Sequence, residues 1–198
     1  MFNFLKRFRK KEKRVVSEET QKELCMNYEQ LCSYLKEKYG PVPGNYFVKD
    51  NCKTRNQKIT RGNEGLQIHH IAEDKYILLA ESHVAMYHPF ELQMSENLVY
   101  CNYLEHLILH YLIALKHQDN RHVNPETEEF VGTGGMGIMI PEINDYFLGY
   151  PYKREYEIKL FSLIDKNDFL EVRERYINDV VHDNHLRYGR QINKEFLG

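Results

Sequence analysis

The chain has 198 residues, of which 42% are hydrophobic and 28% charged, and its formal net charge at pH 7 is −2. This composition is typical of a folded globular protein and excludes an intrinsically disordered chain. No apolar run reaches the roughly 18 residues that cross a bilayer, so we expect a cytoplasmic protein without membrane contact.

The chain begins with a basic segment. Residues 1–14 carry seven Lys and Arg side chains and a single acid, Glu12. The basic run continues where a secretory signal peptide needs an apolar stretch, so this segment is not expected to act as such a peptide. We interpret residues 1–16 as a basic flexible arm, which either contacts nucleic acid or is simply solvated, with binding to a membrane surface as the third and least favoured alternative.

Residues 17–40 have the pattern of one amphipathic helix. Ser17 is a suitable N-cap, and Gly40 followed by Pro41 is a stop signal. Apolar side chains recur between them at spacings of four and three: Leu24, Tyr28, Leu31, Leu35 and Tyr39. The stripe predicts a helix that faces the core, and the alternative is a helix that forms a homodimer seam.

A basic stretch precedes the first predicted strand. Residues 49–61 contain one acid and five basic side chains, and the aromatic residues Tyr46 and Phe47 lie just before them. Basic side chains bind nucleic-acid phosphates by counterion release, and aromatic rings stack on bases. The side chains that we predict to contact phosphates, rather than form a solvated loop, are Lys53, Arg55, Lys58 and Arg61.

A histidine motif follows, with the spacing H-H-x26-N-x8-H-x3-H: His69, His70, Asn97, His106 and His110. The first two end a short strand-like run, so they point to opposite faces and one can join a metal while the other stays free. The last two lie four apart on a predicted helix, from about 100 to 116, and share one face. Three imidazoles with an open fourth position are the ligands of a catalytic zinc-type site.

This motif resembles that of the HNH endonucleases, also called ββα-metal or His-Me finger nucleases, and its second half resembles the colicin-type members. In that family a hairpin with an acid or His before a second His is followed by an Asn and by a helix that bears metal ligands. The resemblance covers residues 49–117. It implies an α+β fold, in which a ββα-metal finger within 41–120 is embedded in a mainly helical domain with N- and C-terminal helical extensions.

Carried over residue by residue, the resemblance makes His69, His106 and His110 the ligands of one divalent ion, whether Zn, Mg, Mn or Ni. His70 is the implied general base, and Asn97 completes the catalytic machinery by bracing the hairpin. The implied function is metal-dependent hydrolysis of phosphodiester bonds in DNA, with RNA as the alternative substrate. One competing interpretation is an inactive, metal-braced module that binds nucleic acid or protein. The other is a different metal hydrolase that acts on a small substrate and leaves the basic stretch 49–61 without a role.

The chain departs from the family pattern in two respects. Residues 71–96 form an insertion between the two halves of the motif, and its His83 and His88 are alternative metal ligands. The family's paired Cys-x-x-Cys knuckles are missing, and we expect four reduced thiols. Of these, Cys101 is expected to be buried among apolar side chains, with a stray metal contact as the alternative.

The rest of the chain carries no chemistry that we assign. The glycine-rich run 132–137 lacks the Lys and the Ser or Thr of a phosphate-binding loop, so we interpret it as a flexible connector. Beyond it, residues 141–148 and 156–181 have helical periodicity, with a break at 165–168. We therefore assign 121–198 to a helical C-terminal extension.

Overall fold

The computed structural model describes residues 14–117, 132–152 and 154–182. Within these ranges the protein is mainly helical with a two-stranded antiparallel sheet, which confirms the predicted α+β class. In chain order the elements are α1 (Glu18–Leu24), α2 (Tyr28–Tyr39), β1 (Gln67–His70), α3 (Ser82–Ala85), β2 (Leu98–Cys101), α4 (Tyr103–His117), α5 (Thr133–Phe147), α6 (Glu155–Ser162) and α7 (Lys166–Tyr176). A π-helical turn, Ile177–His182, continues α7. None of the helices in the described ranges has the length and apolarity that a membrane span requires.

The segment 17–40 forms two helices where its periodicity predicts one. Ser17 caps α1 as predicted, since its side chain accepts a hydrogen bond from the N–H of Thr20 at 3.2 Å. After α1, Asn27 and Gln30 exchange side-chain to backbone hydrogen bonds in a capping box that begins α2. The predicted apolar face continues across the break between α1 and α2 and packs against α4. Four of its side chains are buried: Leu24, Tyr28, Leu31 and Leu35.

The first predicted strand is present, and a second strand replaces the predicted start of the helix. β1 pairs with β2 in a register that places His69 opposite Val99 and His70 opposite Leu98. All four residues of β2 are buried, so the run is held by pairing and packing on both faces. Helix α4 begins only after Asn102, whose side chain accepts from the N–H of Glu105 while its own N–H donates to the Glu105 carboxylate.

The insertion 71–96 consists of short helical turns and the single turn of α3. For residues 76–80 the apolar pattern allows a strand or the start of a helix, but the structure has turns there instead. Leu78 has a positive φ of 59°, and the next residue, Leu79, is fully buried. Within residues 76–80, which have no regular periodicity, the buried Leu79 therefore anchors the chain to the core.

The C-terminal part packs on α4 through α5 and α7. The glycine-rich run that we predicted to be a connector is the beginning of α5, which extends from Thr133 through Pro141 to Phe147. α6 and α7 lie where helical periodicity predicts helices, separated by a short break. The buried Asp168 of α7 accepts two 2.7 Å hydrogen bonds from Ser17, which ties this part to the N-terminal helices.

Candidate metal centre

Four side chains converge between the hairpin and α4: His69, Glu73, His106 and His110. One candidate ligand atom from each lies within 4.8 Å of the corresponding atoms of the other three, so this His/Glu cluster could hold a metal ion. His69 Nδ1 is 3.3 Å from Glu73 Oε2, and His110 Nε2 is 3.8 Å from the same oxygen. The structure thus brings together the three predicted metal ligands and adds a carboxylate.

Local geometry explains why these side chains meet. His106 and His110 are four apart on α4 and therefore share the face that lies against the hairpin. His69 belongs to β1, and the 3-10 turn Ile71–Asp74 that follows brings Glu73 back beside it. One strand end, one turn and one helix face thus supply all four ligand candidates.

The orientation of His69 is fixed by Tyr28. The Tyr28 hydroxyl donates to the carbonyl oxygen of Ile71 at 2.9 Å and lies 2.9 Å from His69 Nε2. Because the hydroxyl proton is used on the carbonyl, the phenol oxygen accepts from Nε2–H and the lone pair of His69 is left on Nδ1. That atom is buried and has no hydrogen-bond partner among the described residues. A buried, unpartnered lone pair directed at a carboxylate fits a cation between the two groups.

The orientation of His106 is fixed by Gln67. The amide oxygen of Gln67 lies 2.8 Å from His106 Nδ1 and accepts its N–H, so Nε2 keeps the lone pair. Gln67 is two residues before His69 on β1, so both side chains leave the same face of the strand. The strand therefore supplies one candidate ligand and orients a second, as metal-binding histidines require.

Burial sets the protonation of the His/Glu cluster. Removal from water lowers the pKa of His69 and His106 well below the usual value, and lowers the pKa of His110 to about 4. Burial also raises the pKa of the Glu73 carboxyl to about 8. Neutral imidazoles are the form that binds metals, and a bound cation would favour the ionised carboxylate.

His70 occupies the opposite side of the strand end. Its side chain is fully buried, and its Nε2 lies 2.8 Å from Gln93 Oε1. The Gln93 amide nitrogen donates to the carbonyl of Leu79, so its oxygen must face His70 and accept from Nε2–H. His70 Nδ1 therefore carries the lone pair, 3.8 Å from Glu73 Oε1. Burial lowers the pKa of His70 to about 4, so its imidazole is neutral at pH 7.

The remaining predicted site residues lie outside the His/Glu cluster. Asn97 donates from its side chain to the carbonyl of Glu91 at 2.7 Å, which fastens the end of the insertion directly before β2. The alternative ligands His83 and His88 are not in the cluster, and the ring of His88 packs on Tyr76. Cys101 is buried in the core and is likewise not in the cluster.

The basic stretch has one side chain close to His70. The guanidinium of Arg55 lies 4.7 Å from the centre of the Tyr46 ring, and that ring packs on the His70 imidazole with centroids 4.5 Å apart. Lys53 and Lys58 are exposed. Arg61, by contrast, is engaged by the Glu64 carboxylate and by the carbonyl of Tyr39. Of the N-terminal arm, residues 1–13 lie outside the described ranges, and Arg14 pairs with Glu174.

A second group of acids does not require a metal ion. Glu19, Glu23 and Glu105 lie close together beside α2. The ammonium group of Lys38 forms ion pairs with all three, at 2.6 Å for Glu105 and 3.7 Å for Glu23. The protein thus supplies its own cation to this group.

Sequence reasoning missed the residues that surround the histidines. Glu73 follows His69 by four residues, and that spacing was the available signal for a fourth ligand. Tyr28, Gln67 and Gln93 gave no comparable signal, because their roles depend on contacts between segments that are distant in sequence. Comparison of the chain with protein-family models, curated proteins and solved structures finds no match in any of the three.

Proposed function

We propose that this protein is a metal-dependent endonuclease of the HNH type, which hydrolyses phosphodiester bonds of DNA. The observation that carries the proposal is the His/Glu cluster, assembled on a β-hairpin and the helix after it, with the fully buried His70 at the same strand end. RNA is the alternative substrate, since a catalytic site of this kind acts on the phosphodiester group that both polymers share.

The mixed nitrogen and oxygen ligands of the His/Glu cluster suit Zn, Mn or Ni better than Mg, which prefers oxygen ligands. When bound there, a divalent ion supplies Lewis acidity toward a phosphate oxygen. His70 acts as the general base and accepts a proton from the attacking water at Nδ1. Gln93 holds the tautomer that this role requires, because it accepts the Nε2–H on the other side of the ring.

Phosphate contacts are proposed for the basic stretch. Arg55 packs on the ring of Tyr46, and that ring packs on His70. Arg55 is therefore the first candidate for binding a phosphate next to the scissile bond. The exposed Lys53 and Lys58 extend the positive surface. Arg61 would have to leave the Glu64 carboxylate before it could contribute in the same way.

One observation favours a second candidate function. Glu73 offers a fourth protein ligand, and a metal with four protein ligands is typical of a structural site. In that case the ion braces the hairpin on α4, and the protein is a binding module without turnover. The two candidates differ in whether His70 is needed and whether the metal retains a position for water.

A plasmid-cleavage assay distinguishes the nuclease from the metal-braced module. It compares the wild type with His70→Ala and His88→Ala in a series of divalent metals. We expect His70→Ala to lose cleavage by about 100-fold or more, the usual contribution of a general base, with metal stoichiometry unchanged. His88→Ala is the matched control, because this insertion histidine lies outside the His/Glu cluster, and it should cleave as the wild type does.

Two outcomes contradict the nuclease proposal. If His70→Ala cleaves normally in every metal, His70 is not the base. If the wild type binds one metal tightly and is stabilised by it but cleaves neither DNA nor RNA, the metal-braced module is the better description.

A further inference from the structure

We infer that Gly135, in the C-terminal extension, is a positioning residue for His110. The inference rests on the proposed metal centre and extends it to a helix that carries none of the four ligands. Its basis is a direct contact between the backbone of α5 and the imidazole of His110.

The contact leaves no room for a side chain. A Cβ atom on Gly135 would lie 2.5 Å from His110 Nδ1 and 2.6 Å from both Cε1 and Cγ of the same ring. These distances are well below van der Waals contact, and all three atoms belong to a rigid ring in a packed site. Any residue other than glycine must therefore displace either the imidazole or the start of α5.

A second glycine, about one turn earlier, also allows α5 to lie close to α4. Gly132 has a φ of +91°, which favours glycine, and a Cβ there would lie 2.7 Å from the N of Ala114 and 2.8 Å from the carbonyl oxygen of His110. α5 thus begins in contact with the backbone of α4 at the residue that carries the imidazole. Met136, Met139 and Ile143, all buried, continue the same packing face along the helix.

His110 depends on this packing more than the other two histidines do. Tyr28 orients His69 and Gln67 orients His106 through hydrogen bonds, whereas no described residue forms a hydrogen bond with His110 Nδ1. The Nδ1 edge of the His110 ring lies on Gly135 and its Nε2 faces Glu73 at 3.8 Å. Gly135 therefore orients His110 by packing, whereas hydrogen bonds orient His69 and His106.

The inference is tested in the full chain with four variants: Gly135→Ala, Gly137→Ala, His110→Ala and the double variant Gly135→Ala/His110→Ala. Co²⁺ is titrated by its visible absorption, and thermal unfolding is measured without metal. Gly137 is the matched control, since it lies in the same helix and a Cβ there meets nothing within 4 Å. We expect Gly137→Ala to bind Co²⁺ as the wild type does and to unfold at the same or a higher temperature, because Ala favours a helix over Gly.

For Gly135→Ala we expect Co²⁺ affinity to fall by about 10- to 100-fold, the usual effect of removing the support of a metal ligand, with an altered absorption spectrum. The substitution should lower the unfolding temperature when His110 is present and have no such effect in His110→Ala, where the ring is gone. If Gly135→Ala alone fails to fold, recovery of folding in the double variant supports the contact equally well.

The inference is overturned if Gly135→Ala binds Co²⁺ like the wild type, or if it destabilises both backgrounds equally. Failure of the proposed centre looks different: the wild type itself would then bind no Co²⁺, and the positioning role would fall with it.

Discussion

At the scale of single residues, the site is defined by ionisable groups that are buried or largely shielded from water before any ion is added. Glu73 is the informative one, because ionising a carboxyl that is largely shielded from water is costly, and burial raises the pKa of this carboxyl to about 8. Its distance of 3.3 Å from the unpartnered Nδ1 of His69 indicates a place for a cation rather than for a carboxyl that only fills space.

Glu73→Gln distinguishes a carboxylate that binds a cation from a carboxyl that only fills space. Because the pKa of Glu73 is raised from 4.5 to about 8 in the folded protein, this carboxyl lowers the stability of the metal-free wild type increasingly as pH rises from about 4.5 to 8. The glutamine variant lacks this loss, and at pH 9 we expect it to be more stable than the wild type by about 1–3 kcal/mol, the cost of an unpaired buried group. At pH 5 the two should differ little, since both side chains are then largely neutral.

Urea unfolding at the two pH values, with chelator present, measures this difference. With Zn²⁺ added, the stability of the variant relative to the wild type should fall at both pH values by roughly 1.4 kcal/mol or more, because the variant has lost a ligand and should bind the ion at least about tenfold more weakly. Glu91→Gln, which alters an exposed carboxyl of the insertion, is the control. Equal pH dependence in the wild type and Glu73→Gln would show that the carboxyl is solvated.

At the scale of elements, the insertion 71–96 carries parts of the site that a shorter hairpin would lack. It supplies Glu73 to the His/Glu cluster and Gln93 to His70, and Asn97 fastens its far end through the carbonyl of Glu91. The buried Leu79 accepts the amide hydrogen bond that fixes the orientation of Gln93. An insertion of 26 residues is therefore an integral part of the candidate site.

Gln93→Met tests the role of the insertion in the proposed catalysis. Methionine has a similar length but no amide, so His70 loses the acceptor that fixes its tautomer. We expect the turnover number for DNA cleavage to fall by about tenfold or more, with KM and metal affinity unchanged. Stability should fall by about 1 kcal/mol because the carbonyl of Leu79 loses its donor.

The control for Gln93→Met is the same substitution in the His70→Ala background, where no further loss of residual cleavage is expected. A KM that rises while the turnover number stays constant would instead place Gln93 in substrate binding.

At the scale of the whole molecule, charge is distributed unevenly around a net charge of −2. The stretch 49–61 is basic, whereas residues 62–110 carry seven acids and one Lys. Three of its cations are exposed: Lys53, Arg55 and Lys58. The ring of Tyr46 lies between Arg55 and His70 and contacts both side chains. A nucleic acid bound here would place its phosphates against this positively charged stretch.

The salt dependence of DNA binding tests this arrangement. Replacing Lys53, Arg55 and Lys58 with Gln should weaken binding to all sequences and reduce the slope of log affinity against log salt by about one unit per lost phosphate contact. Replacing three exposed cations of the C-terminal part, Arg154, Lys159 and Lys166, removes the same charge elsewhere and should leave the slope nearly unchanged. Equal effects from the two triple variants would show that only net charge matters.

The sequence by itself determined the features that rest on local patterns. A hydroxyl before two acids predicts the cap at Ser17, apolar periodicity predicts the buried face of the N-terminal helices, and a spacing of four places His106 and His110 on one side of α4. These predictions succeed because hydrogen bonds and side-chain directions within a helix involve residues that are close in sequence.

Only the tertiary structure decided the remainder. Leu98–Cys101 is a strand because it pairs with β1, although its apolar run is equally compatible with the start of a helix. The run before Met136 is helical because its glycines allow α5 to pack on α4, not because glycine favours a helix. Glu73 and Gln93 enter the site through turns whose course depends on burial elsewhere. In each case the deciding contact joins segments distant in sequence, and no local pattern encodes it.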